Sequence, residues 1–405
     1  AKEQNITIRK NRITAASTQI DVKTAKAALF PSLSFSTSQQ VVNRPYQETS
    51  SRVSGSEIIS SNSKTSYNGN YGLNASWTLY NGNKRLKTIQ QEKLNNQVAE
   101  LDVATSENNI QESIAQVYIQ ILYAAESVKV NESTLQVSIA QRDRGQELLN
   151  AGSIAKSDFA QLEAQVSTDR YQLVTAQATL EDYKLQLKQL LELDGENEMN
   201  IYLPALSDEN VLAPLPTKKD VYISALSLRP EIEASKLNVE ASELGIGIAK
   251  SSYLPTISLS AGIGTNHTSG SDFTFGEQVK NGWNNSIGLS VSVPIFNNRQ
   301  TKSAVQKAKL QYETSMLSLL DEQKTLYKTI EGLWLDANSA QQRYAAANEK
   351  LKSTQISYEL ISEQFNLGMK NTIELLTEKN NLLQAQQEQL QAKYMAILNT
   401  QLLKF

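Results

Sequence analysis

The chain has 405 residues, with 39 basic against 42 acidic side chains and a net charge of −3, a balance that excludes the basic stripe a nucleic-acid surface needs. It has no cysteine and one histidine, which rules out disulfides, thiol nucleophiles and Cys-ligated metals and removes the commonest zinc ligand and general base. That histidine, His267, lies in a Ser/Gly/Asn-rich stretch and reads as an exposed loop residue, and no cofactor is implied.

The chain opens Ala1-Lys2-Glu3, already helical in character, so the numbering is expected to start after a removed targeting segment. No run of about 18 apolar residues exists, so no transmembrane helix is expected. The longest uncharged helical stretch, Ser113 to Ala125, contains Gln116 and Gln120. β-barrel strands give too weak a hydropathy signal for this to exclude a membrane.

Residues 21–34 end a helix on Phe30-Pro31-Ser32-Leu33 and pass into alternation, and residues 245–258 do the same on Leu254-Pro255-Thr256-Ile257. Leu79-Tyr80-Asn81-Gly82 matches Ile295-Phe296-Asn297-Asn298 at an offset of 216, and at that offset Asn150-Ala151-Gly152 matches Asn366-Leu367-Gly368. The chain therefore holds one unit twice, over residues 1–193 and 231–405, on either side of a segment at 194–230.

Each unit begins with a helix and two strands. From Ser66 to Tyr80, Tyr67, Gly69, Tyr71, Leu73, Ala75, Trp77 and Leu79 alternate with Ser, Asn, Gly and Thr. From Trp283 to Ile295, Ile287, Leu289, Val291 and Val293 alternate with Asn284, Ser286, Gly288, Ser290 and Ser292. Period two with one apolar side means a sheet with one dry and one wet face. Hairpins are expected over about 32–80 and 256–296, joined by polar loops at about 45–65 and 266–282. A soluble sheet under a covering helix would show the same alternation. Two features favour lipid: strands of about ten residues or more, long enough to cross an outer membrane when tilted, and aromatics near their ends (Phe30, Trp77, Tyr80, Tyr253, Trp283, Phe296). Leu73, Trp77, Leu289 and Val291 are then lipid-facing. Four strands cannot close a barrel and lipid tolerates no open edge. Three copies of a four-strand unit give twelve strands about one threefold axis.

A long helix comes next in each unit, over about 83–149 and 299–365, each reaching roughly 100 Å at 1.5 Å per residue. Ile110, Ile114, Val117, Ile121 and Val128 mark a narrow apolar stripe, as in a helix that packs on neighbours and leaves the rest in water. Turns at about 150–155 and 366–371 lead into returning helices over about 156–193 and 372–404. Gly152 and Gly368 suit the left-handed residue that ends a helix, a structural role sufficient to explain both. The segment at 194–230, with Pro204, Pro214, Pro216 and Pro230, interrupts the helical pattern. A cytosolic coiled-coil scaffold would account for the helices but not the strands. An enzyme finds no support: Gly245-Ile246-Gly247 lacks a third glycine where a phosphate loop needs one.

The Phe30-Pro31-Ser32-Leu33 and Leu254-Pro255-Thr256-Ile257 strand openings, the Leu79-Tyr80-Asn81-Gly82 and Pro294-Ile295-Phe296-Asn297 strand exits, and the Asn-x-Gly turns resemble those of TolC-like outer-membrane efflux proteins in order and duplication over the whole chain. The resemblance implies a homotrimer in the outer membrane of a Gram-negative bacterium. A twelve-stranded β-barrel would continue into a periplasmic α-helical barrel with an equatorial belt, for which 194–230 is the candidate. It further implies a passive channel serving a periplasmic adaptor and an inner-membrane RND- or ABC-type pump. The turns at Asn150, Gly152, Asn366 and Gly368 would be the tips that dock the adaptor. Carried over by position, Ser157, Asp158, Lys370 and Glu374 would form the gate, and Thr377 stands where the family's best-known member has a second pore aspartate. The plain alternative is that Lys370 and Glu374 form an exposed i,i+4 pair.

Overall fold

A computed structural model describes residues 2–46, 50–54, 57–61, 64–193, 201–202 and 211–404. Its elements run α1 (Ile6–Ala27), β1 (Ser32–Asn43), β2 (Ser50–Ser54), β3 (Glu57–Ser61), β4 (Thr65–Asn81), α2 (Lys84–Asn150) and α3 (Lys156–Leu191). They continue with α4 (Lys218–Leu228), α5 (Pro230–Ser251), β5 (Thr256–Thr268), α6 (Phe275–Asn281), β6 (Asn284–Ser292), α7 (Gln300–Asn366) and α8 (Thr372–Leu402). Two compact units form: Ala1–Ile13, Glu100–Glu233 and Leu320–Phe405 in one, Thr14–Ala99 and Ala234–Leu319 in the other. Each draws on both halves of the sequence.

The duplication extends to the backbone. Helices α2 and α7 both have 67 residues, and their first residues stand 216 apart. Before α2, Gly82 and Asn83 both take positive φ; before α7, Asn298 and Arg299 do the same at the same offset. Two successive left-handed residues turn the chain from strand into helix in each half. Gly82, Asn83 and Asn298 bear that at low cost, while Arg299 takes the same conformation without that advantage.

The second unit contains a four-stranded antiparallel sheet in the order β1-β4-β5-β6, with β1 and β6 at its edges. Leu73 pairs with Phe35 on one side and Ile263 on the other; Leu259 pairs with Trp77 and Leu289; Ile257 pairs with Val291. Directly opposed residues share a face, so these side chains make one continuous apolar surface. Ser36, Asn74, Gly262 and Ser286 make the polar one.

Three sequence expectations change here. The register between β4 and β5 skips Leu79, so Tyr80, not Leu79, comes opposite Ile257; a bulge reverses the parity at the strand end. The two expected loops carry structure of their own: β2 and β3 pair with each other inside the first, and α6 forms in the second behind Thr274 and Glu277, which cap it reciprocally. His267 is a strand residue and not an exposed loop residue. Its ring stacks on Tyr71 at 5.9 Å between centroids and meets Phe275 edge-on at 5.1 Å. It sits opposite Gly69, where a side chain would collide with the imidazole.

The first unit has its core where α2, α7 and α8 meet. Ile119, Leu122, Ala340, Tyr344, Leu390 and Ile397 pack around Val211, with Tyr123 edge-on to Tyr394. A second cluster joins Val117 and Ile121 of the predicted stripe to Leu187 of α3. The segment at 194–230 lies partly outside the described residues. Its described part is not wholly non-helical, because Thr217 caps the N-terminus of α4 by accepting from Asp220 N–H. The chain before α4 is strapped to α7: Gln341 donates to the carbonyls of Val211 and Ala213 at 3.0 and 2.8 Å, and Trp334 Nε1 donates to Pro216 O at 3.0 Å. Lys218 lies over the Trp334 ring and pairs with Glu331 at 3.4 Å. Tyr344 is among the most completely buried side chains. Tyr344→Ala should therefore destabilise the fold by roughly 3–5 kcal/mol in denaturant titration, since a large cavity is left behind.

Candidate functional site

Two helix-to-helix turns and one sheet face carry the candidate residues. Helix α2 ends at Asn150, and Gly152 takes φ +72°; Ser153 N–H bonds to Leu148 O at 2.8 Å and Gly152 N–H to Leu149 O at 3.0 Å. Helix α7 ends at Asn366 in the same way, with Gly368 at φ +74°, Met369 N–H on Gln364 O at 2.9 Å and Gly368 N–H on Phe365 O at 3.0 Å. This paired bonding satisfies the last carbonyls of a helix through one left-handed residue. A β-carbon at either glycine would meet nothing within 4 Å, so backbone conformation alone demands glycine there.

The two turns differ in how the returning helix is capped. Asn371 caps α8 by accepting from Glu374 N–H at 2.9 Å, while Glu374 accepts in return from Asn371 N–H at 3.1 Å. At the first turn the capping residue is Ala155, which has no side-chain oxygen, so only the Asp158 carboxylate contributes, accepting from Ala155 N–H at 3.3 Å. Lys370 Nζ, in the turn before α8, reaches Glu374 Oε1 in the helix's first turn at 2.5 Å. That ammonium first, and the Asn371 N–H second, hold the Glu374 carboxyl below its usual range. The structure thus brings Lys370 and Glu374 together. Among the described residues no hydrogen bond or ion pair joins Asp158 to Lys370. Ser157 is exposed on the first turn of α3, and Thr377 is exposed on α8. Sequence reasoning misses the apolar character of the second turn: Leu367, Met369 and Ile373 are all exposed there.

On the sheet, Leu73, Trp77, Leu289 and Val291 occupy one face, as their alternation requires. With Leu33, Phe35 and Ile287 they stay exposed, so no element of the described chain covers this face. Such an apolar expanse marks a surface that meets lipid or a partner. Trp77 is anchored as well, its Nε1 donating to Leu29 O at 2.7 Å. No described helix is long and apolar enough to cross a membrane.

The lowered Glu374 pKa has a definite sign. The pair with Lys370 favours the ionised carboxylate, so its contribution to the turn is present above the usual carboxylate range and is lost as pH falls through the lowered value. Lys370→Ala should raise the Glu374 pKa toward its ordinary value in an NMR titration. Asn371→Ala keeps the backbone N–H from which Glu374 accepts and should leave that pKa nearly unchanged. An unmoved pKa in Lys370→Ala would show that the pair does not form.

The model of the outer membrane efflux protein family matches residues 1–192 and 221–404. The outer membrane efflux protein BepC of Brucella suis biovar 1 (strain 1330) is 24% identical over 290 residues, covering 71% of this chain and 60% of the relative. The outer membrane protein TolC of Escherichia coli (strain K12) is 23% identical over 311 residues, covering 75% and 62%. The chain thus matches about three fifths of the length of these relatives. Among solved structures, the CmeC outer membrane channel of Campylobacter jejuni superposes with a TM-score of 0.79 at 18% identity, covering 98% of this chain and 81% of that one. The fold is that of these TolC-like channels, and the chain belongs to the outer membrane efflux protein family.

Proposed function

We infer that this chain is a subunit of an outer-membrane export channel, and one observation carries the reading. The four-stranded sheet exposes a continuous apolar face, and among the described residues no strand pairs with its two edges. Lipid covers such a face, and in lipid both edges must be closed. Two further copies supply the missing strands of a twelve-stranded barrel whose polar faces, lined by Ser, Asn and Gly, enclose water. The chain assigns itself no catalytic chemistry and conducts passively. Its energy comes from an inner-membrane pump of the RND or ABC class through a periplasmic adaptor, with the segment at 194–230 as the belt. The family match and the shared fold support this reading.

The turns at Asn150–Gly152 and Asn366–Gly368 are the tips that receive the adaptor, and the exposed Leu367, Met369 and Ile373 give the second an apolar contact. Ser157, Asp158, Lys370 and Glu374 form the gate. Since Lys370 in the turn is held by Glu374 in the first turn of α8, the pair acts as one unit, and Glu374 presents a partly neutralised carboxylate to passing cations.

The strand faces are tested by charge. Leu289→Arg and Leu73→Arg should each block membrane assembly, because a cation at the lipid midplane costs roughly 2–4 kcal/mol, while Ser290→Arg on the polar face should assemble far better. Equal damage from all three would reverse the assignment of faces. The tips are tested by backbone strain. A non-glycine residue in the left-handed region costs about 1–2 kcal/mol, too little to unfold helices of this length. Gly152→Val/Gly368→Val should therefore leave the protein in the outer membrane and abolish export of the pump's substrates. Surviving export would remove the tips from adaptor docking.

A further inference from the structure

Away from the turns, three helices meet at a buried polar cluster. Ser138 on α2, Asp169 on α3 and Lys379 on α8 are only 2%, 2% and 3% exposed. Lys379 Nζ donates to Asp169 Oδ2 and to Ser138 Oγ, and Ser138 Oγ donates to that same carboxylate oxygen. Gln165 Nε2 supplies the other carboxylate oxygen, Oδ1, with a donor at 2.9 Å and also reaches Asn380 Oδ1 at 3.3 Å. Lys379 forms part of the wall of a cavity of about 60 Å³ beside Thr134 and Tyr358. Burial pushes the Lys379 amine below its usual pKa, and the neighbouring carboxylate opposes that shift.

Aspartate and lysine are almost never this buried unless paired. Stability alone does not account for the cluster, because well-packed apolar residues in place of a buried ion pair are commonly neutral or stabilising. The best-attested use of such a buried polar group is to fix register. The buried residues flanking it along α3 and α8, Leu162, Val166, Leu375 and Leu382, are aliphatic and tolerate an axial slip. The cluster does not: a slip of one helical turn, about 5.4 Å, would leave the ammonium and the carboxylate unpaired in an apolar interior. The charged contacts at the turns are local by comparison, Lys370 to Glu374 and Asp158 to Ala155. They tie no helix to another.

We propose that Ser138, Asp169 and Lys379 form a register lock that holds α8 against α2 and α3 in one axial position and so keeps the two turns in a single resting arrangement. The lock rests on the channel reading for its consequence, since a fixed arrangement of the turns keeps the pore shut until the cluster separates as a unit. Lys379 lies eleven residues beyond Gly368 and seven beyond the start of α8, roughly 10 Å along that helix, so movement at the turns is governed from within the helical body.

The test compares the parent with Lys379→Met, which strands Asp169, and with Asp169→Leu/Lys379→Met, which replaces the pair by apolar groups. These 405 residues hold no cysteine, so spin labels on Ser153→Cys and Met369→Cys report the distance between the turns without interference. Resting conductance is read on the same proteins, without labels, in planar bilayers. The parent should give a narrow distance distribution and low conductance. Lys379→Met should lower the melting temperature, broaden the distribution and raise conductance several-fold. The double variant should recover the parent's melting temperature yet keep the broad distribution and raised conductance. A double variant with the parent's narrow distribution would overturn the lock by showing that apolar packing sets register equally well. A parent that forms no pore would overturn the channel reading instead, and the distance distributions would still decide the lock.

Discussion

The whole arrangement depends on one constraint: a backbone N–H or C=O at a sheet edge must find a partner when no water is at hand. The sheet of this chain ends at β1 and β6, and its apolar face is exposed from Leu33 to Val291. In water, such edges invite uncontrolled pairing, and natural sheets blunt them with charge or proline. Here the edge strands are largely uncharged, with Ser, Gln and Val in β1 and Asn, Ser, Ile and Val in β6. On the channel reading they are built to be paired, and identical strands from further copies would complete the sheet without leaving an edge. Small residues on the polar face, Gly262 and Gly288 among them, place any added side chain close to Ser286 or Ser260, as the crowded inner wall of a barrel requires.

The helical part obeys a different logic. Helices of 67 residues with narrow buried stripes draw stability from neighbours, not from an enclosed core. The clusters around Tyr344, Ile121 and Ile232 are separate patches where a third or fourth element comes in: α8, α3 or α4. The strapped chain before α4, whose carbonyls accept from the side chains of Gln341 and Trp334 on α7, adds hydrogen bonds where aliphatic packing alone would be thin. The exposed apolar side chains on these helices, such as Ile13 and Ile20 on α1 and Leu310 and Leu317 on α7, fit surfaces that further copies would cover.

Much of this is legible in the residues because it rests on local rules. Alternation assigns the faces of β4 and β6, and the 216-residue offset locates both long helices and both glycine turns. What stays hidden needs three dimensions. The bulge at Leu79 changes parity without changing composition. The short helix α6 and the β2–β3 ribbon sit in polar stretches that look like loops, and His267 reads as exposed because its partners Tyr71 and Phe275 lie on other elements. The resemblance sets Asp158 and Lys370 on neighbouring turns, but Lys370, just before α8, finds Glu374 four residues further on. The Ser138–Asp169–Lys379 cluster is invisible for the opposite reason: its members lie far apart in sequence, and each is ordinary on a polar helix.

If the sheet is completed only by copies of itself, the number of chains per particle is fixed. Light scattering or native mass spectrometry on protein extracted from the outer membrane in mild detergent measures that number most directly. Three chains per particle are expected, because three four-stranded sheets close one barrel with no edge left over. A folded monomer that keeps its sheet, or a tetramer, would contradict it.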